Sequence, residues 1–325
     1  AEVGRRAVEL NPNESLPRYN LVWYLMGAGD LEAADKEARA LIDLDPEYWD
    51  VYVCKALIEL ANGFPAQAAE TYKELGKQND YGAAFASSGL ADLALYEGRV
   101  SEAKTILEKG IPVDLKNGHD FIAVDKYITL AQLHLLQGKK ELAAQAADRA
   151  LATSQREDIM YAAAEIYLQV GQEDKARDLA TELSEKIEPG YRAYAKLIDG
   201  QFKITRGEVT EAIDLYLEAQ GILDTWLSHF LLGKAYLEAE AYSGAYSEFD
   251  TCLKRRGEVF SVLFSDLPTY RYLPPLYYYL GRAQEGLNSS EAVNSYQTFL
   301  SIKEKAEGDW MVEDARHRLE GRSSQ

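Results

Sequence analysis

The sequence predicts an all-α protein, a solenoid built from antiparallel helix pairs. Three observations carry that prediction. Eight alanines, Ala34, Ala68, Ala103, Ala143, Ala176, Ala212, Ala245 and Ala292, recur at gaps of 34, 35, 40, 33, 36, 33 and 47 residues. A period of roughly 34 residues belongs to arrays of two-helix units, each too small to bury its own apolar face. Small or apolar residues follow most of these alanines at four and seven residues, as in Tyr72 and Leu75, Ala147 and Ala150, or Phe249 and Cys252. Those spacings put them on one helical face. Five residues before the alanine, six repeats carry Gly29, Gly63, Gly98, Gly138, Gly171 or Gly207. A glycine there ends the preceding helix, where the chain turns through positive φ. Glu240 takes its place once. In the last repeat one residue is deleted, and Gly286 and Asn288 flank the gap.

Two stretches narrow the assignment. One reads His229-x₂-Leu232-Gly233-x₂-Tyr236, then Ala245-x₃-Phe249. The other reads Tyr277-x₂-Leu280-Gly281, then Ala292-x₃-Tyr296. They resemble the tetratricopeptide (TPR) pattern W-x₂-L-G-x₂-Y, A-x₃-F, P. Its closing proline is present as Pro12 and Pro46, while Glu59, Lys203 and Gln284 stand where the pattern has tyrosine. The resemblance covers almost the whole chain. It implies a right-handed superhelix of about eight full repeats, preceded by a half repeat and closed by a C-terminal helix.

The elements follow in order. Residues 1–12 read as the second helix of a truncated repeat, so the chain is expected to be a piece of something longer. Repeat two runs from about Leu16 to Leu44 and repeat three from Glu47 to Lys77, where Pro65 suits a first helical turn. Repeat four ends near Gly110. A linker is expected from Ile111 to Asp120, because it holds Pro112, Asn117 and Gly118. Repeats five to eight end near Ser154, Ile187, Gly221 and Gly257. An insertion, residues 258–275, then accounts for the 47-residue gap. Its prolines forbid one continuous helix, and it is too apolar for a linker, so it is expected to fold back on the array. Repeat nine runs from Pro275 to about Lys305. A capping helix is expected over 309–320, with Met311, Ala315 and Leu319 on its apolar face, followed by a disordered tail over 321–325.

Close packing of the two helices explains the small residues: an alanine at the crossing lets the backbones approach, and larger neighbours fill the space beside it. The bulk composition fits. Hydrophobic residues make up 47% and charged residues 27%, ordinary for a water-exposed fold. No apolar run reaches the length of a membrane span. The net charge of −18 disfavours nucleic acid and anionic membrane as partners and leaves room for a basic one. The two cysteines, Cys54 and Cys252, lie about six repeats apart and are not expected to pair. The sequence favours the cytoplasm, or an extracytoplasmic site if a membrane span precedes Ala1.

Signatures of chemistry are missing. Gly27-Ala28-Gly29-Asp30 lacks the third glycine of G-x-G-x-x-G and joins two helices. There is no Walker loop, H-E-x-x-H, C-x-x-C or G-x-S-x-G. His119, His134, His229 and His317 fall in separate parts of the array. No catalytic residue, metal site or cofactor is assigned.

A protein or peptide is the expected ligand. In the TPR family the first helix of each pair lines a concave groove. Transferred by position, this implies residues fifteen and eleven before each marker alanine. They include Tyr19 and Trp23, Asp92, Gln132, Tyr161 and Glu165, Gln201, Phe230 and Lys234, and, corrected for the deletion, Tyr278 and Arg282. The alternative for Trp23, Tyr161 and Phe230 is packing against neighbouring helices. Chaperone-binding members clamp a carboxylate with Lys and Asn on consecutive repeats. Here Lys234 and Arg282 lie in adjacent repeats without the Asn. Tyr270, Tyr272 and Tyr277 form a cluster beside the insertion and a candidate docking region, since tyrosine is favoured at interfaces.

The stretch Asp266-Leu267-Pro268-Thr269-Tyr270-Arg271, continuing through Pro274-Pro275-Leu276 to Gly281-Arg282-Ala283-Gln284-Glu285-Gly286-Leu287, resembles the closing repeat of bacterial signalling proteins. The resemblance is to eukaryotic-type serine/threonine kinases with a C-terminal TPR array. It implies a non-catalytic regulatory or partner-recruiting segment. The kinase motifs G-x-G-x-x-G-x-V, H-R-D and D-F-G are not in this chain. A free-standing TPR adaptor or envelope-associated assembly protein with no kinase is the alternative, and an enzyme framed by a solenoid is a third.

Overall fold

The structure is a computed structural model that describes residues 2–262, 268–306 and 308–323. Part of the insertion (263–267) and the end of the tail (324–325) lie outside the described residues. The described chain is helical throughout. A single helix α1 (Glu2–Leu10) precedes α2 (Ser15–Gly27) paired with α3 (Leu31–Leu44), and α4 (Asp50–Ala61) paired with α5 (Pro65–Leu75). The next pairs are α6 (Asp80–Tyr96) with α7 (Val100–Lys116), and α8 (Asp120–Leu136) with α9 (Lys140–Thr153). Then come α10 (Glu157–Val170) with α11 (Glu173–Ser184), α12 (Pro189–Thr205) with α13 (Val209–Ile222), and α14 (Trp226–Glu238) with α15 (Tyr242–Lys254). The array closes with α16 (Leu273–Gly286), α17 (Ala292–Ile302) and α18 (Trp310–Ser323).

All eight marker alanines are fully buried at 0% exposure, as a helix-crossing position requires. The crossing is filled from the partner helix. Gly233 of α14 lies under the ring of Phe249, so close that a Cβ there would come within 2.6 Å of the ring. Gly281 of α16 admits Tyr296 in the same way, and Gly200 of α12 admits Tyr216. The six turn glycines all adopt φ between 69° and 84°. Glu240 and Asn288 take φ of 56° at the turns that lack glycine, so the turn geometry persists where the residue does not.

Two local expectations are corrected. The Ile111–Asp120 linker is mostly helix, because α7 continues to Lys116 with Pro112 inside it. Burial explains the extension. Ile111 and Asp114 turn inward, and the fully buried Lys126 ammonium of α8 donates to Asp114 at 2.5 Å and to Ser87. That pair ties the extra turns to the next repeat. At the other end α18 runs past Glu320 to Ser323. Arg318 donates to Asp314 and to Glu285 of α16, which anchors the last turns, while Val312 and Ala315 are buried in a cluster with Tyr278, Tyr296 and Phe299.

Candidate functional site: the inner wall

The first helices of the pairs, α2, α4, α6, α8, α10, α12, α14 and α16, pack on one another and form an inner wall. The described parts of the insertion lie against that wall. They comprise a 3-10 helix over Arg256–Ser261 and a second over Tyr270–Tyr272 that leads into α16. They are joined by Thr269, which donates to the Val259 carbonyl at 2.5 Å and accepts from the Val262 amide at 3.2 Å. Phe260 packs edge-on against Trp23 of α2, with ring centroids 4.6 Å apart. Arg256 donates to the Ala61 carbonyl at the end of α4, and Tyr270 is completely buried.

The firmest attachment is Arg271. Its Nη1 donates to Asp92 Oδ1 of α6 at 2.9 Å, and its backbone amide donates to the same oxygen at 3.2 Å. Its Nε donates to Gln132 Oε1 of α8 at 2.9 Å. Gln132 then donates from Nε2 to the Tyr272 hydroxyl at 2.6 Å. A carboxylate and an amide on adjacent repeats thus hold one guanidinium and one tyrosine. Asp92 is 1% exposed, and burial pushes its carboxyl above the ordinary range while Arg271 pulls it back. The next carboxylate along α8, Asp125, is raised by burial to about 7 although Arg156 donates to it at 2.8 Å.

The same acid–amide pairing recurs two repeats along the wall. Gln201 of α12 donates from Nε2 to Glu165 Oε1 of α10 at 2.8 Å and to the Tyr161 hydroxyl at 3.2 Å. Burial raises the Glu165 carboxyl, against the hydrogen bonds from Gln201 and Tyr161 and the charge of Lys234. Glu165 borders a cavity of about 440 Å³, closed on its far side by the turn after α17. There the buried Lys303 ammonium donates to the Leu95 carbonyl of α6 at 2.8 Å, and Ala306 presses on Gly98. The end of the array therefore meets its fourth repeat across the hollow.

The residues nominated from the sequence separate into two rows. Those fifteen before the marker alanine contact the next repeat. Tyr19 packs on Tyr48 and Tyr161 on Tyr194; Phe230 packs on Tyr279, while Tyr278 donates to Asp314 of α18. Those eleven before it reach inward from α2 to α12. Trp23, Asp92 and Gln132 meet the insertion, while Glu165 and Gln201 meet each other. Lys234 lies over the rings of Phe230 and Tyr279, and Arg282 donates to the Tyr278 hydroxyl near α18. Of the tyrosine cluster, Tyr270 and Tyr272 belong to the insertion, and Tyr277 packs half-buried on the core. Arg271, Phe260 and Lys303 escaped the sequence reading. The available signal was a cation between two tyrosines inside an apolar insertion.

Among the described residues no group of three or more His, Cys, Asp or Glu side chains is placed to hold a metal ion. Cys54 and Cys252 are both buried and are not joined in a disulfide. No described helix is long and apolar enough to cross a membrane.

The sequence matches no protein-family model and no curated protein. Solved structures do resemble it. A chain of the APC/C hetero-tetramer Cut9–Hcn1 aligns over 98% of this chain and 58% of its own length, with a TM-score of 0.51 and 13% identity. The human IFIT1 dimer with PPP-AAAA aligns over 92% of this chain and 66% of its own, with a TM-score of 0.54 and 14% identity. A monomeric IFIT1 mutant with Gppp-AAAA gives a TM-score of 0.56 at the same identity and coverage. The chain spans less than two thirds of each of these proteins, and the likeness is one of fold. Eighteen described α-helices, the repeat period and these neighbours together give the tetratricopeptide-type fold, an all-α solenoid of stacked helix pairs.

Proposed function

We propose that this chain is a non-catalytic scaffold whose inner wall binds a protein or peptide. One observation carries the reading: the wall already holds a short segment, the chain's own residues 268–272, through side chains from separate repeats. Recognition of that kind uses a few anchors in pockets plus backbone contacts. The wall chemistry supports a protein ligand over nucleic acid. Its inward row offers Asp92, Gln132, Glu165 and Gln201, acids and amides, in a chain of net charge −18. A phosphate backbone would need the opposite sign.

The finer reading is that the array recruits partners to, or regulates, a bacterial signalling protein such as a serine/threonine kinase. It rests on the resemblance of residues 266–287 alone. Coding sequence upstream of Ala1 that holds a glycine-rich loop, H-R-D and D-F-G would support it, and an unrelated open reading frame would refute it. The scaffold reading is tested by measuring a captured partner's affinity for the intact chain, for Trp23→Ala and for an outer-surface control, Glu70→Gln. Weakened binding in Trp23→Ala alone supports the inner wall. Equal binding by all three refutes it.

A further inference from the structure

The inner wall repeats one motif twice, and the chain fills only the first copy. Asp92 and Gln132, on α6 and α8, each accept a hydrogen bond from the Arg271 guanidinium at 2.9 Å, and Asp92 also accepts from the Arg271 backbone amide at 3.2 Å. Glu165 and Gln201, on α10 and α12, stand at the same repeat positions two repeats further on. In this second pair the amide donates to the carboxylate at 2.8 Å, in the place where the first pair receives a guanidinium. Lys234, whose charge acts on Glu165, sits over the Phe230 and Tyr279 rings. Glu165 opens instead onto the 440 Å³ cavity, together with Phe230, Tyr272 and Trp310. That volume lies within the range of roughly 300–1,000 Å³ typical of ligand sites. Two cations border the same cavity, but both are engaged: Arg271 by Asp92 and Gln132, and Lys303 by the Leu95 carbonyl.

From this geometry we infer that Glu165 and Gln201 form a second guanidinium socket, and that it takes an arginine side chain of the partner. The guanidinium displaces the Gln201 amide from Glu165 Oε1 and gains a charge-assisted bond to the carboxylate. The Gln201 carbonyl then turns to accept, as Gln132 Oε1 accepts from Arg271. Aromatic faces at Phe230, Tyr272 and Trp310 cover the stem of the side chain and add cation–π attraction. The ligand class is therefore an arginine flanked by aromatic residues, like the chain's own Tyr270-Arg271-Tyr272. This deepens the scaffold reading and rests on it.

The test uses the full chain and two capped tripeptides, tyrosine-arginine-tyrosine and its citrulline analogue, which is nearly isosteric but uncharged. Binding is followed by calorimetry and by the NMR signals of the Gln201 side-chain amide. The arginine peptide is expected to bind at least about tenfold more tightly than the citrulline peptide, as a hydrogen bond to a charged group allows. Glu165→Gln should close that gap and leave the Gln201 amide signals unmoved. If Glu165→Gln does not fold, Glu165→Asp must reduce the gap by withdrawing the carboxylate one methylene. Equal affinity for the two peptides, no binding of either, or an undiminished gap in the folded variant overturns the socket. In the last case basic peptides still bind this protein, so the scaffold reading survives and is decided by the Trp23→Ala comparison.

Discussion

Replacing Arg271 with alanine should loosen the insertion from the inner wall at a cost set by the carboxylate left behind. The arginine side chain is 10% exposed and its partner Asp92 is 1% exposed, so the ion pair is almost fully desolvated. Asp92 Oδ2 has no hydrogen-bond partner among the described residues, which leaves Arg271 as the main compensation for the charge. Breaking a buried pair by removing one member costs roughly 3–5 kcal/mol. Asp92 can escape by taking up a proton. Its carboxyl is already raised by burial, and loss of Arg271 raises it further. The folded variant then binds a proton that the unfolded chain does not. The deficit therefore grows as pH rises and shrinks as pH falls, by up to about 1.4 kcal/mol per pH unit. Urea unfolding followed by circular dichroism at pH 5 and pH 7.5 measures this directly. A deficit below about 1 kcal/mol at pH 7.5, or one that fails to narrow at pH 5, would refute the reasoning. The double variant Arg271→Met with Asp92→Leu should recover much of the loss, because it buries no unpaired charge.

Three further outcomes are expected. Ala212→Leu should overpack the crossing of α12 and α13, where Ala212 is fully buried, and lower stability by roughly 1–3 kcal/mol in denaturant melts. Tyr161→Ala removes a fully buried ring stacked on Tyr194 and should cost roughly 3–5 kcal/mol, whereas Trp23→Ala, half-buried against Phe260, should retain the array's melting transition. Asp125, raised to about 7, holds its proton in the folded state over a range where the unfolded side chain is ionised. Wild-type stability should thus fall as pH rises from about 4 to 7, and Asp125→Asn should flatten that dependence in melts at pH 5 and 7.5.

The repeat was legible because its physical cause is local. A helix crossing needs a small residue at one phase, and Ala34 through Ala292 supply it in every pair. The split between Tyr161 and Glu165 was not legible. Four residues advance a helix by 400°, so the two side chains point only about 40° apart. Which of them meets the next repeat and which faces the hollow depends on how the pairs stack. Pro112 misled for a different reason. Proline removes one helical hydrogen bond, but the buried Lys126–Asp114 pair outweighs that signal from twelve residues away. The destination of Arg271 was the hardest to foresee. Its partners Asp92 and Gln132 lie 179 and 139 residues earlier, and no local pattern records a contact made only when the array curves round on itself.

That curvature is most directly probed between Gln132 and Tyr272, which lie 140 residues apart in sequence and 2.6 Å apart at their polar atoms. A nuclear Overhauser contact between the Gln132 side-chain amide protons and the Tyr272 ring is predicted in solution. Its absence, with the Tyr272 ring giving signals of a freely solvated side chain, would show that the hollow is open and the insertion lies elsewhere.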